Sequence, residues 1–151
     1  MNPQAKNYLR TKVLTATAEQ LQLMLFDGAI RFCEQAKGAL QKKNYEQSYQ
    51  LLTRASAIVN QLVCALKPDV LPDLCKRLKG LYSYAYRKIV DANLKHNVES
   101  LDEAISVLKY QRETWVMLLD QLTKKKAAEA ASKIDVPAPD ARMEATMNVQ
   151  G

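Results

Sequence analysis

The sequence predicts an all-α protein, an antiparallel up-and-down four-helix bundle with a short N-terminal strap and a disordered C-terminal tail. Composition supports helices, because the 151 residues include only four glycines and five prolines, and good helix formers are abundant. Apolar residues recur at three- and four-residue spacings in four segments of about 20 to 24 residues each. Short polar turns join these segments, as they do in antiparallel bundles.

The first predicted helix lies within residues 15–40 and begins after a capping box. Thr17 precedes Gln20 by one helical turn, so the threonine hydroxyl can accept a backbone N–H while the glutamine bonds back to the cap. On a helical wheel the apolar residues of this segment cover an arc of about 200°, whereas about 100° seals one face of a bundle. Either this helix is central among its neighbours, or it offers a second apolar edge to a partner.

The second and third predicted helices are bounded by caps and prolines. Asn44 caps the second helix, which runs to about Leu66 and stops before Pro68, because the residue preceding a proline is disfavoured in helical conformation. The third helix begins near Pro72, where the missing N–H costs nothing, and ends at about Lys95. Its inner face is predicted to consist of Leu74, Leu78, Leu81, Ala85, Ile89 and Ala92.

The fourth predicted helix begins after Asn97 or Ser100, and its apolar pattern ends at Leu122. Residues 125–132 are compatible with an extension of this helix, but the rest of the C-terminal stretch has too few apolar side chains to offset the entropy of ordering. The segment before the first helix is polar, with isolated apolar side chains. The predicted organisation is therefore a strap, a bundle and a flexible tail, at residues 1–14, 15–122 and 123–151.

The charge pattern indicates ordinary solvated helix faces. The net charge is +6, but the 22 basic residues are mixed with 16 acidic ones along the helices. Asp27, for example, can pair with Arg31 one turn later on the first helix. The N-terminus lacks a signal-peptide pattern, and no apolar run approaches membrane-spanning length. We therefore expect a cytoplasmic protein without stable membrane insertion.

Little in the sequence supports catalysis. The single histidine, His96, lies at a predicted helix end, and neither a glycine-rich phosphate loop nor a nucleophile elbow occurs. Cys33 has no histidine near it in sequence. Both Cys33 and Cys64 lie within apolar runs, so they are predicted to be reduced core residues. We expect no enzyme activity, no cofactor and no metal site.

Two classes of binding protein remain. A basic helical module for nucleic acid would need clustered cations beside stacking aromatics, but the cations of the third helix are scattered around its wheel. A protein-binding module, for a helical or other partner, would need an exposed apolar surface, for which the wide arc of the first helix and the tyrosines of the third are candidates. The alternative is that the bundle itself buries all of these side chains.

A family resemblance bears on this choice. Residues 14–32, L-T-A-T-A-E-Q-L-Q-L-M-L-F-D-G-A-I-R-F, resemble the signature region of the FliS family of flagellar export chaperones. Residues 86–93, 101–104 and 112–115 agree with further blocks of the family pattern, so the similarity spans about residues 5–122. The departures are a Thr-Ala pair in place of the family's Ser-Pro and Phe26 in place of a tyrosine.

The resemblance implies a non-enzymatic, ATP-independent cytoplasmic chaperone. Such a protein binds the disordered C-terminal segment of flagellin, prevents its premature polymerisation and assists its export, with the export gate or flagellar regulatory proteins as further candidate partners and no nucleic acid. A disordered segment could wrap the apolar edges of a bundle, covered until then by the strap. The residues expected at this surface are Tyr8, Val13, Leu14, Leu23, Phe26, Ile30, Tyr82 and Tyr86.

Overall fold

The computed structural model describes residues 2–66 and 72–134, and within these ranges all regular secondary structure is helical. The prediction of an all-α protein is confirmed. The chain divides into two compact units, Met1–Trp115 and Val116–Gly151. The described helices are α1 Pro3–Thr15, α2 Ala18–Gln41, α3 Tyr45–Cys64, α4 Pro72–Lys95 and α5 Val98–Ile134.

Helix α1 occupies the segment for which the sequence analysis predicted only a strap. The side chain of Asn2 caps it, with Oδ1 accepting the N–H of Ala5 at 2.7 Å, and Pro3 stands in the first turn. The helix buries none of its residues. The prediction missed it because the segment lacks a clear apolar stripe, although the Asn-Pro start signal was present in the sequence.

The predicted caps of α2 and α3 are confirmed. Thr17 accepts the N–H of Gln20 at 3.1 Å, and the Gln20 side chain accepts the N–H of Thr17 at 3.0 Å, which completes the capping box. After α2 the chain reverses through Lys43, whose φ is 58°. Asn44 then caps α3 by accepting the N–H of Gln47 at 3.3 Å.

The turn between α4 and α5 shows which of the two candidate residues, Asn97 or Ser100, caps α5. His96 has a φ of 52°, and the N–H of Asn97 bonds back to the carbonyl of Ala92 at 3.3 Å, which closes the end of α4. The Asn97 side chain accepts the N–H groups of Glu99 and Ser100 at 3.0 and 3.4 Å. Asn97 is therefore the cap of α5, and Ser100 lies inside the helix.

Two helix ends differ from the sequence analysis. Helix α3 ends at Cys64 instead of about Leu66, and the predicted stop at Pro68 lies outside the described residues. Helix α5 continues past Leu122 to Ile134, because alanine and lysine sustain a helix even where few side chains can pack. Residues 123–134, assigned to the flexible tail, are thus helical, as the sequence allowed for residues 125–132, and residues 135–151 lie outside the described part.

The core of the first unit is built by α2, α3, α4 and α5. It combines large apolar side chains with alanines, among them Ala29, Ala55 and Ala85, and small residues let helices pack closely. Gly28 lies at the contact of α2 with α3, where an added Cβ would be in ordinary van der Waals contact, at 3.4 Å, with Cδ1 of Ile58. The largest fully buried apolar side chains are Phe26, Leu52, Leu62, Ile89, Leu101, Leu108, Val59 and Cys33.

Candidate partner-binding surface

Two of the sequence blocks that carry the family resemblance, residues 14–32 and 112–115, meet in space. Asp27 of α2 forms an ion pair with Arg112 of α5. The indole N–H of Trp115 donates to the carbonyl oxygen of Glu19 at 3.0 Å. The predicted pairing of Asp27 with Arg31 on the same helix is wrong, because the carboxylate reaches across to α5 instead. These residues form a joint between the two helices.

Further ion pairs continue the same seam between α2 and α5. Glu34 pairs with Lys109, and Lys37 pairs with Asp102, each at 2.8 Å. A groove of about 300 Å³ lies along this seam, lined by Asp27, Ile30, Glu34, Lys109, Arg112 and Glu113. Most of its charged walls already pair with one another, so the groove stabilises the contact between the helices and offers few free charges to a ligand.

The structure buries three of the residues expected at an exposed apolar edge. Phe26 is 1%, Ile30 8% and Tyr82 2% exposed. The rings of Phe26 and Tyr82 pack against each other with their centroids 5.9 Å apart, which joins α2 to α4. Since α2 also contacts α3 and α5, its wide apolar arc reflects a central position in the first unit. The expected exposure of these three side chains is therefore wrong.

The hydroxyl of Tyr82 shares the buried environment of its ring. Burial raises the pKa of Tyr82 to about 12, and a hydrogen bond with the side chain of Gln22 acts in the opposite direction. The phenol is thus a satisfied core group. Its ring contributes packing to the contact between α2 and α4.

The other residues expected at the surface are accessible. Tyr8 and Leu14 are 72% and 73% exposed, whereas Val13 and Tyr86 are each 41% exposed. Leu23 is half-buried and lines a cavity of about 360 Å³ where α1 meets α2. The structure therefore separates the expected set into a core group and an exposed group, and the exposed group lies mainly on α1.

Several exposed apolar residues on α4 and α5 were not predicted from the sequence. Leu74 and Leu81 were assigned to the inner face of α4, yet they are 43% and 37% exposed. On the wheel Leu81 lies at the border of that face, toward the side that carries Tyr84. Leu74 shares its angle with the buried Ala92 but stands in the first turn of α4. Tyr110 on α5 is 65% exposed and was not selected at all. The border position of Leu81 was the signal available in the sequence.

A polar cluster ties α4 to α5. The carboxylate of Glu103 accepts a hydrogen bond from the Tyr84 hydroxyl at 3.0 Å and pairs with Lys88 at 2.8 Å. These hydrogen bonds, above all that from Lys88, lower the pKa of Glu103, and the bond to Glu103 raises the pKa of Lys88. Lys88 also lies 5.5 Å from the centre of the Tyr84 ring. This lysine is thus engaged within the protein.

A second polar cluster lies one turn closer to the helix ends. The Ser100 hydroxyl donates to Asp91 at 2.6 Å, and Lys95 pairs with the same carboxylate at 3.0 Å. The hydrogen bond from Ser100 and then that from Lys95 lower the pKa of Asp91. His96, at the end of α4 as predicted, stacks on Tyr45 with ring centroids 4.0 Å apart. These contacts fix the turn between α4 and α5.

The cysteines and acidic residues show no reactive arrangement in residues 2–66 and 72–134. Cys33 is buried as predicted, and burial raises the pKa of its thiol to about 12. Cys64 is exposed, so its prediction as a core residue is wrong. No group of three His, Cys, Asp or Glu side chains in these ranges could hold a metal ion. None of the helices there is both long and apolar enough to span a bilayer.

Comparisons with known proteins all find similarity to flagellar proteins. A profile of the family described as "Flagellar protein FliS" matches residues 1–133. The flagellar secretion chaperone FliS of Bacillus subtilis (strain 168) is 30% identical over 108 residues, which cover 72% of this chain and 80% of that protein. The flagellar secretion chaperone FliS of Escherichia coli (strain K12) is 29% identical over 108 residues, 71% of this chain and 79% of that protein.

A solved structure supports the fold independently. The crystal structure of a flagellar chaperone from bacteria superimposes with a TM-score of 0.65, covering 79% of this chain and 99% of that chain. The sequence identity of the pair is 20%, so this likeness concerns the fold alone.

Proposed function

Because this chain belongs to the FliS family of flagellar proteins, we propose that it is a cytoplasmic export chaperone for flagellin. It binds the disordered C-terminal segment of flagellin, prevents premature polymerisation and assists export for filament assembly. The chain acts by binding alone, without a catalytic centre, a cofactor or nucleic acid. The export gate and flagellar regulatory proteins are further partners in this proposal.

The proposed scaffold is an antiparallel four-helix bundle of α2 to α5. The ion pairs between α2 and α5 support opposite helix directions, since Asp27 pairs with Arg112, and further along α2 Lys37 pairs with Asp102, which comes earlier on α5. A bundle of this kind presents long helix faces and shallow grooves. Such a surface suits an extended partner that folds partly into helices as it binds.

The observation that best supports the binding proposal is the exposure of the apolar side chains of α1. Tyr8, Val13 and Leu14 are exposed on a helix of 13 residues that buries none of its side chains. Isolated helices of about 12 to 15 residues are marginally stable in water. An arriving segment can therefore displace α1 or pack against it at little cost. Tyr86 and Leu81 on α4 are accessible apolar groups for the same partner.

A titration of the purified chain with a peptide of the C-terminal segment of flagellin from the same bacterium tests this function. Calorimetry is expected to show one-to-one binding with a negative heat-capacity change, and circular dichroism should show ordering of the peptide. The same titration with single-stranded and duplex DNA at physiological salt is the control. Salt-sensitive binding of DNA with no binding of the peptide would reverse the proposal.

Deletion of residues 1–12 distinguishes two roles for α1. A covering segment reduces the apparent affinity by the fraction of time that the site is closed, so its deletion should tighten peptide binding. Weaker binding after the deletion would make Tyr8 and its neighbours part of the contact surface.

Single substitutions locate the surface on the body of the protein. Tyr86→Ala and Leu81→Ala are expected to weaken peptide binding, because both remove accessible apolar contacts. Tyr49→Ala is the matched control, since Tyr49 is a 61% exposed tyrosine on α3. Unchanged affinity in both variants, with the fold intact, would place the flagellin segment elsewhere.

A further inference from the structure

Two arginines from different helices share one aromatic ring on the outer side of α2 and α3. Phe32 is half-buried on α2 and packs against the core. Cζ of Arg31 lies 5.3 Å from the centre of its ring, and Cζ of Arg54, from α3, lies 5.9 Å from it. Both arginines are exposed. We refer to Arg31, Phe32 and Arg54 as the arginine patch.

Packing between α2 and α3 holds the arginine patch in place. One turn before Phe32, Gly28 lacks the Cβ that would lie 3.4 Å from Cδ1 of Ile58. Ile58 in turn lies one turn after Arg54 on α3. The contact between Gly28 and Ile58 thus lies one turn along both helices from the contact of Arg54 with the ring of Phe32. The patch rests on two rigid helices, which lowers the entropy cost of binding a ligand there.

The guanidinium groups of the arginine patch have no carboxylate partner in residues 2–66 and 72–134. Arg112 and Lys109, which lie along the seam between α2 and α5, are both paired with carboxylates. Among the described residues neither Arg31 nor Arg54 has a carboxylate partner, and both contact the ring of Phe32 instead. Stacking on an aromatic ring consumes none of the N–H donors of a guanidinium, so these donors remain available for a planar acceptor.

We propose that the arginine patch anchors a carboxylate of the exported flagellin segment, next to an apolar side chain that contacts Phe32. This inference rests on the proposed function and adds an electrostatic contact on α2 and α3 to it. Arginine and aromatic residues dominate the binding energy of many protein interfaces. Arginine recognises a carboxylate through two parallel hydrogen bonds, so the patch fixes the register of the segment as well as its position.

The test compares variants of equal charge. In the full chain, Arg31→Gln combined with Arg54→Gln should raise the Kd for the flagellin peptide about tenfold and flatten its salt dependence. Lys42→Gln combined with Lys43→Gln removes the same charge from two exposed lysines beyond the end of α2. This control should change the Kd less than twofold. Circular dichroism melting confirms that each variant is folded.

Two further experiments distinguish bidentate hydrogen bonding by the arginines from a simple attraction between opposite charges. Arg31→Lys combined with Arg54→Lys keeps the charge but loses the fork of donors, so binding should stay weak. A peptide with every Asp and Glu replaced by Asn and Gln should bind the unaltered chain about tenfold more weakly. The same peptide should show no additional loss with the glutamine variant, because the two changes remove one contact.

Several outcomes would overturn the inference. One is equal peptide affinity of the unaltered chain and the glutamine variant, and another is an equal loss in the glutamine variant and the lysine control. Full affinity of the neutralised peptide for the unaltered chain would exclude a carboxylate contact. No binding of the original peptide to the unaltered chain would instead overturn the proposed function, and the anchor with it.

Discussion

Helices α1 and α2 both begin with a side-chain N-cap, but they differ in how many of their residues are buried. Asn2 caps α1 and Thr17 caps α2, each through a side-chain oxygen that accepts a backbone N–H. Helix α2 then buries eight residues, whereas α1 buries none. Capping therefore determines where a helix starts, and the width of its apolar arc determines whether it enters the core. The apolar side chains of α1 therefore remain outside the core.

The largest expected contrast between the two helices is in core packing. Phe26→Ala on α2 should lower the free energy of unfolding by about 3–5 kcal/mol, because it leaves a cavity beside Tyr82. Leu14→Ala on α1 should change it by no more than about 0.5 kcal/mol, since this side chain is 73% exposed. Urea denaturation followed by circular dichroism measures both. Similar losses in the two variants would contradict the contrast.

A smaller effect is expected at the ion pair that joins α2 to α5. A double-mutant cycle of Asp27→Asn and Arg112→Gln should give a coupling energy of about 0.5–1 kcal/mol, because both side chains are partly exposed. The cycle of Asp27→Asn with Arg31→Gln serves as the control and should give none. Coupling in the control alone would restore the pairing expected from sequence.

The acid sensitivity of the protein should depend on the turn between α4 and α5. Asp91 has a lowered pKa in the folded chain, first because Ser100 donates a hydrogen bond to it. A lowered folded pKa stabilises the protein above the unfolded value, about 4, and this stabilisation is lost as the pH falls through the folded value. Ser100→Ala should therefore lower the urea midpoint at pH 7 and reduce its fall toward acid pH.

The control for the acid experiment is the chain without residues 1–12. Helix α1 contains no carboxylate, so this deletion should leave the dependence of the urea midpoint on pH unchanged. An unaltered fall of the midpoint in Ser100→Ala would show that its hydrogen bond to Asp91 does not contribute.

The smallest effect is expected from the end of α5. Residues 120–133 are exposed along the helix, so truncation after Thr123 should keep the Tm within a few degrees. The end of α5 thus resembles α1, because neither segment contributes buried residues. A large drop in Tm would show that the removed residues pack on the protein.

Local signals in the sequence predicted most of the fold. The caps at Thr17 and Asn44 and the prolines between helices act within a few residues, so they can be read without the fold. The exposure of Leu81 and the burial of Tyr82 could not be read in this way. A wheel gives the direction of a side chain, but the number of neighbours around the helix decides what it meets.

The candidate site was harder to predict for the same reason. Asp27 has a cation one turn away on its own helix, yet it pairs with Arg112, which is far along the chain. Arg31 is left beside Phe32, where a second arginine arrives from α3. Neither contact follows from local spacing, because each depends on how two helices are packed.

The position of Trp115 gives the protein an optical probe of its own. The chain contains one tryptophan, and its indole N–H is bonded to the first turn of α2. Its fluorescence emission depends on the polarity around the ring, so a red shift during denaturation reports the opening of this joint. Circular dichroism reports all helices at once. Coincidence of the two transitions would show that the joint opens only when the whole fold is lost.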